Sequence, residues 1–296
     1  ATLNSDAVDF LLAKKEIKYL TEMMNYPGVL HEDAEVMAKI ALAKKYNKPV
    51  DGHAPGLRGN DAQKYIEAGI TTDHECFTYE EAKEKIDLGM KVIIREGSAA
   101  KNFDALIELM AYYPDKLMFC SDDKHPDALV KGHINELVKH AFSYGFDKMD
   151  VLRAATLNPV KHYGLENGLL QTGDNADFIV MEDLAEFHVK QTYIKGQLVA
   201  EDGKSLIASV SEGVINNFNR RPLRLEDIRL QAKGSKIRVI EALDGQLITQ
   251  ESHHEVKTEN GFAVSNTEND ILKMVVINRY NNAPPAFAFV KNFGLK

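Results

Sequence analysis

The chain has no tryptophan and only two cysteines, Cys76 and Cys120, among its 296 residues. Two thiols provide no disulfide framework, so the core must hold the fold, and a reducing compartment, the cytoplasm, is the expected setting. Long apolar runs are also missing: nothing approaches the ~20 consecutive apolar residues that cross a bilayer. The stretch Ala1–Asp9 has no basic segment leading into an apolar one, so no signal peptide is expected there. Excess positive charge is absent too. A net charge of −8 and a pI near 5.7, with Lys and Arg scattered, exclude an electrostatic nucleic-acid or anionic-membrane binder. What remains, 44% hydrophobic and 27% charged residues, suits one large domain or about two.

From Ile17 to Ser121, short apolar runs alternate with amphipathic stretches. The runs are Ile17–Leu20, Pro49–Val50, Gly69–Thr71, Val92–Ile94 and Leu117–Phe119. Between them, Asp33–Tyr46 places Val36, Met37, Ile40 and Ala43 on one helical face. Thr78–Leu88 opens on Thr78 followed by Glu81, a capping-box pattern, and stops before Gly89. Asn102–Tyr112 and Asp127–Tyr144 also read as helices. Strand–helix alternation implies a parallel sheet, and the spacing suits a (β/α)8 barrel, normally of about 250 residues. Five units fit and three are missing. The expected domains are 1–163, five barrel units; 164–212, a small glycine-punctuated β-rich domain with strands such as Phe178–Met181 and Thr192–Ile194; and 213–296, a C-terminal α+β region. In that last region Ile237–Ile240, Gln246–Ile248 and Met274–Val276 read as strands, and Ala286–Lys296 as an apolar tail with no closing role.

The residues able to carry chemistry fall at predicted strand ends. Glu22, His53, His74 and Asp122 each lie just beyond an apolar run, where the strands of a barrel converge on one catalytic face. Two imidazoles and two carboxylates there make a divalent-metal site suited to Zn, Mn or Fe. Such a metal brings the pKa of bound water down towards ~7. Taken singly, each residue has an ordinary explanation: a lone histidine is more often structural than a ligand, and a lone Glu22 would be a solvated carboxylate. For His31, His140, His162, His188, His253 and His254 the ordinary explanation stands. Their shared position, and the Gly/Pro-rich setting of Asp51-Gly52-His53-Ala54-Pro55-Gly56, set the four apart.

The wording of the motifs goes further. Glu22-Met23-Met24-Asn25-Tyr26-Pro27-Gly28-Val29, Asp51-Gly52-His53-Ala54-Pro55-Gly56-Leu57, Thr72-Asp73-His74-Glu75, Arg95-Glu96-Gly97-Ser98 and Cys120-Ser121-Asp122-Asp123-Lys124-His125-Pro126 resemble the amidohydrolase superfamily, and within it the bacterial-type adenine deaminases. Ala155-Thr156-Leu157-Asn158-Pro159 and Gly173-Asp174-Asn175-Ala176-Asp177-Phe178 fit the superfamily more broadly. The resemblance implies a partial TIM-like metal-dependent hydrolase barrel that turns adenine and water into hypoxanthine and ammonia in purine salvage. It implies a binuclear Mn or Fe centre, with Glu22 as bridging carboxylate and His53, His74 and Asp122 as ligands. Asp122 would also be the general base. Asp123 competes with it for that role; the plainer alternative for Asp123 and His125 is to orient the ligands from behind. Glu96 or Glu75 would hydrogen-bond a ring nitrogen of the purine if burial raises its pKa, and Arg95, Ser98 and Asp123 would meet the substrate. Against this, Arg95 and Glu96 can form a simple local ion pair, while Asp51 and Arg58 read as loop stabilisers.

Two departures matter. The superfamily's His-x-His pair is absent, and so are three barrel units, so the chain reads as the middle and rear of a longer polypeptide. Alone it is expected to be weakly active or inactive, and to need the missing portion. A homodimer binding a small molecule, with no nucleic-acid or membrane partner, is the expected assembly. Two other readings stand beside this one. A dihydroorotase- or hydantoinase-like hydrolase would usually bridge its metals with a carbamylated lysine, and Glu22 counts against that. A non-catalytic interaction module would not be expected to keep four ligands.

Overall fold

The computed structural model describes residues 3–98, 100–214, 216–244 and 248–294. The chain divides into two compact units, residues 1–208 and 209–296. Unit one is built on a parallel sheet in the order β1-β2-β3-β4-β5. Its strands are β1 (Leu20–Met23), β2 (Val50–Gly52), β3 (Ile70–Asp73), β4 (Lys91–Arg95) and β5 (Leu117–Cys120). Helix α1 (Ser5–Leu12) precedes β1; α2 (Tyr26–Leu30) and α3 (Ala34–Lys45) join β1 to β2. Helices α4 (Gly59–Glu67) and α5 (Tyr79–Asp87) make the next two crossovers. The last crossover is α6 (Phe103–Leu106) followed by 3₁₀ turns, and α7 (Pro126–Leu129), α8 (Ile134–Ser143), α9 (Lys148–Ala155) and α10 (Leu157–Tyr163) follow β5. These are the five strand–helix units expected.

Local chemistry explains the boundaries. Strand β1 starts later than the apolar run Ile17–Leu20 suggests. Its first bond outward runs from the Leu20 N–H to the Pro49 carbonyl, and Leu20 pairs with Val50. Proline has no N–H to extend the ladder further back. Glu22 therefore lies inside β1 rather than after it. Helix α3 matches its expected span: the Asp33 carboxylate accepts from the N–H groups of Glu35 and Val36, Lys44 and Lys45 occupy the last turn, and Val36, Ile40 and Ala43 are buried. The helix expected over Asp127–Tyr144 is two helices, broken at Val130–His133, where Gly132 lowers the cost of leaving the helix. The one expected over Asn102–Tyr112 tightens after a single turn into a 3₁₀ segment, Ile107–Ala111.

Two hydrophobic clusters fill the layer between sheet and helices. One gathers Leu12, Ile40, Val50, Tyr65 and Ile70 around β1–β3. The other gathers Val92, Ile94, Phe103, Leu106 and Leu117 around β4 and β5. Strands buried on both faces read as unbroken apolar runs, and Val92–Ile94 is one.

Residues 178–205 form a separate antiparallel meander, β6 (Phe178–Met181), β7 (Val189–Ile194), β8 (Gln197–Glu201) and β9 (Lys204–Ser205). Lys195 and Gly196, both at positive φ, turn β7 into β8, as a two-residue primed hairpin requires. Phe187 packs edge-on against Phe142 of α8, tying this sheet into unit one.

Unit two carries a four-stranded sheet in the order β11-β10-β15-β14 and a short hairpin of β12 (Thr258–Glu259) and β13 (Phe262–Ala263). Its strands are β10 (Lys236–Ala242), β11 (Thr249–Glu255), β14 (Leu272–Val276) and β15 (Ala286–Lys291). The strand expected at Gln246–Ile248 falls mostly outside the described residues; β11 begins at Thr249. The supposed apolar tail is a correction: β15 lies between β10, which it parallels, and β14. Val239, Ala263, Ile271 and Phe289 are buried together there. Among the described residues no helix is long and apolar enough to cross a membrane.

Candidate metal centre

The carboxyl ends of β1, β2, β3 and β5 bring four of the expected residues together. Glu22 sits one residue before the end of β1, His53 and His74 directly follow β2 and β3, and Asp122 lies two residues past β5. His74 Nε2 is 3.0 Å from Glu22 Oε2. His53 Nδ1 is 3.7 Å from Glu22 Oε1 and 3.5 Å from Glu75 Oε1. The two imidazoles stand edge to face, 5.3 Å between ring centres. Glu22, His53 and His74 each present a donor atom within 4.8 Å of the others, and His74, Glu75 and Asp122 do the same.

The electrostatics are those of a compact acidic cluster. Hydrogen bonding to His74 lowers the Glu22 pKa. Burial alone would lower the His74 pKa, but the Glu22 carboxylate outweighs it and the net shift is upward. Burial would raise the Asp122 pKa; the Arg95 guanidinium outweighs it and the carboxyl lies below its usual range. Asp122 also has φ +50°, in the left-handed region.

A cation fits this donor set. His53 Nδ1 is buried without a hydrogen-bond partner and faces Glu75 Oε1 at 3.5 Å, an oxygen that the Arg95 guanidinium also contacts. Such an atom is costly to leave unsatisfied, and an orphaned imidazole nitrogen beside a second imidazole and the Glu22 carboxylate is the kind of donor set a divalent ion takes.

Arg95 is placed differently from expectation. Its guanidinium contacts both Glu75 and Asp122, so it lies among the carboxylates and does not pair with Glu96. Glu96, Ser98 and Asp123 are not brought into the cluster. Glu96 and Ser98 line a separate cleft of about 660 Å³, with Lys101 3.9 Å from Glu96. Burial raises the Glu96 pKa. The Ser98 N–H donates to the Asp123 carbonyl and the His125 N–H to the Ser98 hydroxyl, so Ser98 braces the loop that carries Asp122. A second cleft, of about 540 Å³, opens onto Glu22, His74 and Asp122 and is floored by Ile93, Met118 and Phe119. Asp51 accepts from Thr72 and Tyr163, and Arg58 pairs with Glu84.

A family model of the amidohydrolases matches residues 3–199. The chain belongs to the amidohydrolase family. A second model, of the adenine deaminase C-terminal domain, matches residues 246–296. This amidohydrolase chain is 53% identical over 296 residues to an adenine deaminase of Salinibacter ruber, covering all of itself and 54% of that protein. It is 50% identical over 305 residues to an adenine deaminase of Methanosarcina barkeri, covering 55% of it. The chain thus spans about half the length of these relatives. Among solved structures, a β-aspartyl dipeptidase from Fervidobacterium islandicum AW-1 aligns with 62% of the chain at 17% identity and a TM-score of 0.47, too loose a likeness to argue from.

Behind this cluster of the amidohydrolase stand side chains that give no signal in the sequence. The Tyr65 hydroxyl donates to the Met23 carbonyl (2.6 Å) and accepts from the His53 N–H (3.0 Å). The Asn102 amide donates to the carbonyls of His74 and Cys76 and accepts from the Arg95 N–H. Lys85 sits behind both histidine loops. Polar side chains on helix-like stretches gave no signal, since nothing in the periodicity marks them as buried. Glu75, adjacent to His74, is expected from the sequence as a substrate contact; its carboxylate faces both imidazoles and the Arg95 guanidinium.

Proposed function

We propose that this chain supplies part of the active site of an adenine deaminase, hydrolysing adenine to hypoxanthine with release of ammonia. The observation that carries the reading is the orphaned His53 Nδ1 within the Glu22–His53–His74 cluster, in a chain about half-identical to adenine deaminases along its whole length. Glu22, His53 and His74 would hold one divalent metal, and Asp122 with Glu75 would face a second; Mn or Fe is the proposed pair. When bound, such ions make water a ready nucleophile at neutral pH and stabilise developing negative charge.

The protein's own residues do the rest. Asp122, held ionised beside Arg95, accepts the proton of the attacking water and can return it to the departing amine. Glu96, whose pKa burial raises, lines the separate cleft and is not assigned to this substrate, and Ser98 braces the loop that carries Asp122 and Asp123. The enzyme is proposed to act as a cytoplasmic homodimer.

The test is ammonia release from adenine by the metal-loaded protein assembled with the portion this chain is expected to need, with dihydroorotate as the competing substrate. Glu22→Gln and His53→Asn should each lower turnover by roughly 10² or more while leaving the circular dichroism unchanged. Turnover of dihydroorotate but not adenine would overturn the substrate; a native protein that binds no metal would overturn the site.

A further inference from the structure

Lys85 is among the most enclosed side chains of the molecule, with 1% of its surface exposed. Removing an ammonium from water is very costly unless every proton finds an acceptor. Here each does. Nζ donates to the Ala54 carbonyl, to Asp73 Oδ2 and to Glu81 Oε1, all at 2.7 Å. Ala54 directly follows His53, and Asp73 directly precedes His74.

The two carboxylates extend the reach of that one charge. Asp73 Oδ1 accepts from the Glu75 N–H at 2.8 Å. Glu81 Oε1 accepts from the Gly56 N–H at 2.9 Å, and its other oxygen from the Phe77 N–H at 3.1 Å. One buried ammonium and its two counter-charges therefore fasten four backbone groups: Ala54 and Gly56 after β2, Glu75 and Phe77 after β3. Glu81 was expected to complete a capping box with Thr78. Only half of it forms, the Thr78 hydroxyl accepting from the Glu81 N–H, because the Glu81 carboxylate is committed to these loops.

We propose that Lys85 is a positioning residue of the metal centre, its salt-bridged hub setting the separation of the His53 and His74 loops so that one cation can engage both imidazoles. The proposal rests on the reading of this cluster as a metal site. Helix α5 delivers Lys85 from outside the sheet, so the residue touches neither imidazole and acts only through their backbones. Its contribution is geometric, and a misplacement of even a few tenths of an ångström between two ligands weakens chelation.

The experiment titrates the purified, metal-stripped protein with Co(II) alone and reads affinity and the visible absorption of the bound ion. Lys85→Met keeps the stem of the side chain and removes its charge. It should weaken Co(II) binding by about 10–100-fold, the range for removing a partner that orients ligands, and alter the ligand-field bands. Ile86→Ala, on the same helix but in the hydrophobic cluster, should lower the melting temperature while leaving Co(II) affinity and spectrum unchanged. Should Lys85→Met fail to fold, Glu81→Gln, which retains an acceptor for Lys85 but loses the one for the Phe77 N–H, should still weaken binding and shift the spectrum. Native-like Co(II) affinity and spectrum in a folded Lys85→Met, or in Glu81→Gln where it stands in, would overturn the proposal. A native protein that binds no Co(II) would instead overturn the metal reading beneath it.

Discussion

Replacing Tyr65 by Phe removes one oxygen from a side chain that is 1% exposed, and the structure states what that oxygen does. It donates to the Met23 carbonyl and accepts from the His53 N–H, at 2.6 and 3.0 Å. The ring stays, so no sizeable cavity opens and the apolar contacts of the β1–β3 cluster survive. What changes is that a buried carbonyl and a half-buried N–H lose the same partner. Each unsatisfied group costs about 1–3 kcal/mol, so Tyr65→Phe should destabilise unit one by about 2–6 kcal/mol. A typical Tyr→Phe change at a wet site costs far less. Urea unfolding followed by circular dichroism measures it, since the chain has no tryptophan to report by fluorescence. The same bond orients the peptide that leads into His53, so Co(II) affinity should fall together with stability. A loss below about 0.5 kcal/mol, within the range of a neutral surface change, with Co(II) binding intact, would refute the view that the ligand loops are held from behind.

Two further outcomes are expected. A Cβ on Gly52 would lie 2.4 Å from the Thr72 carbonyl oxygen and 2.7 Å from Ile70 Cγ2; Gly52→Ala must push β2 away from β3, and both thermal stability and Co(II) affinity should drop. His162, partly buried beside Thr71 with Lys91 nearby, has its pKa pulled down to about 4, first by burial and then by Lys91. The unfolded chain therefore takes up a proton near pH 6.5 that the folded one refuses until about pH 4, so stability is lost as pH falls through that window and is unaffected above it. After discounting for the part of the ring that reaches solvent, the loss is about 1–2 kcal/mol. His162→Leu should remove this component from the pH dependence of urea unfolding, and an unchanged profile would refute it.

The strand ends were legible because parallel strands buried on both faces leave apolar runs, and Glu22, His53, His74 and Asp122 follow or close those runs. What could not be read was how side chains choose partners across loops. Glu81 and Lys85, four apart on a helix, look like an ordinary solvated pair; their burial depends on the loops after β2 and β3 closing over them. Arg95 looked like a partner for its neighbour Glu96, yet successive strand residues point to opposite faces, and only Arg95 turns towards Glu75 and Asp122. Unit two hid its architecture for another reason. Strand β15 pairs in parallel with β10, tens of residues earlier, a non-local choice that leaves no mark in the local pattern of Ala286–Lys291.

The left-handed backbone at Asp122 has a consequence for how this position can vary. A positive φ is cheap for glycine and tolerable for asparagine and aspartate, whose short polar side chains bond locally; the Asp122 carboxylate does so, accepting from the Asp123 N–H at 2.6 Å. Of those three residues only aspartate carries a negative charge. Glutamate, the usual conservative exchange, is penalised by the main chain before its chemistry is ever tried. The loop geometry thus narrows the usable alphabet at this position to a single acid, and a drift to asparagine would leave the fold standing while silencing the proposed base.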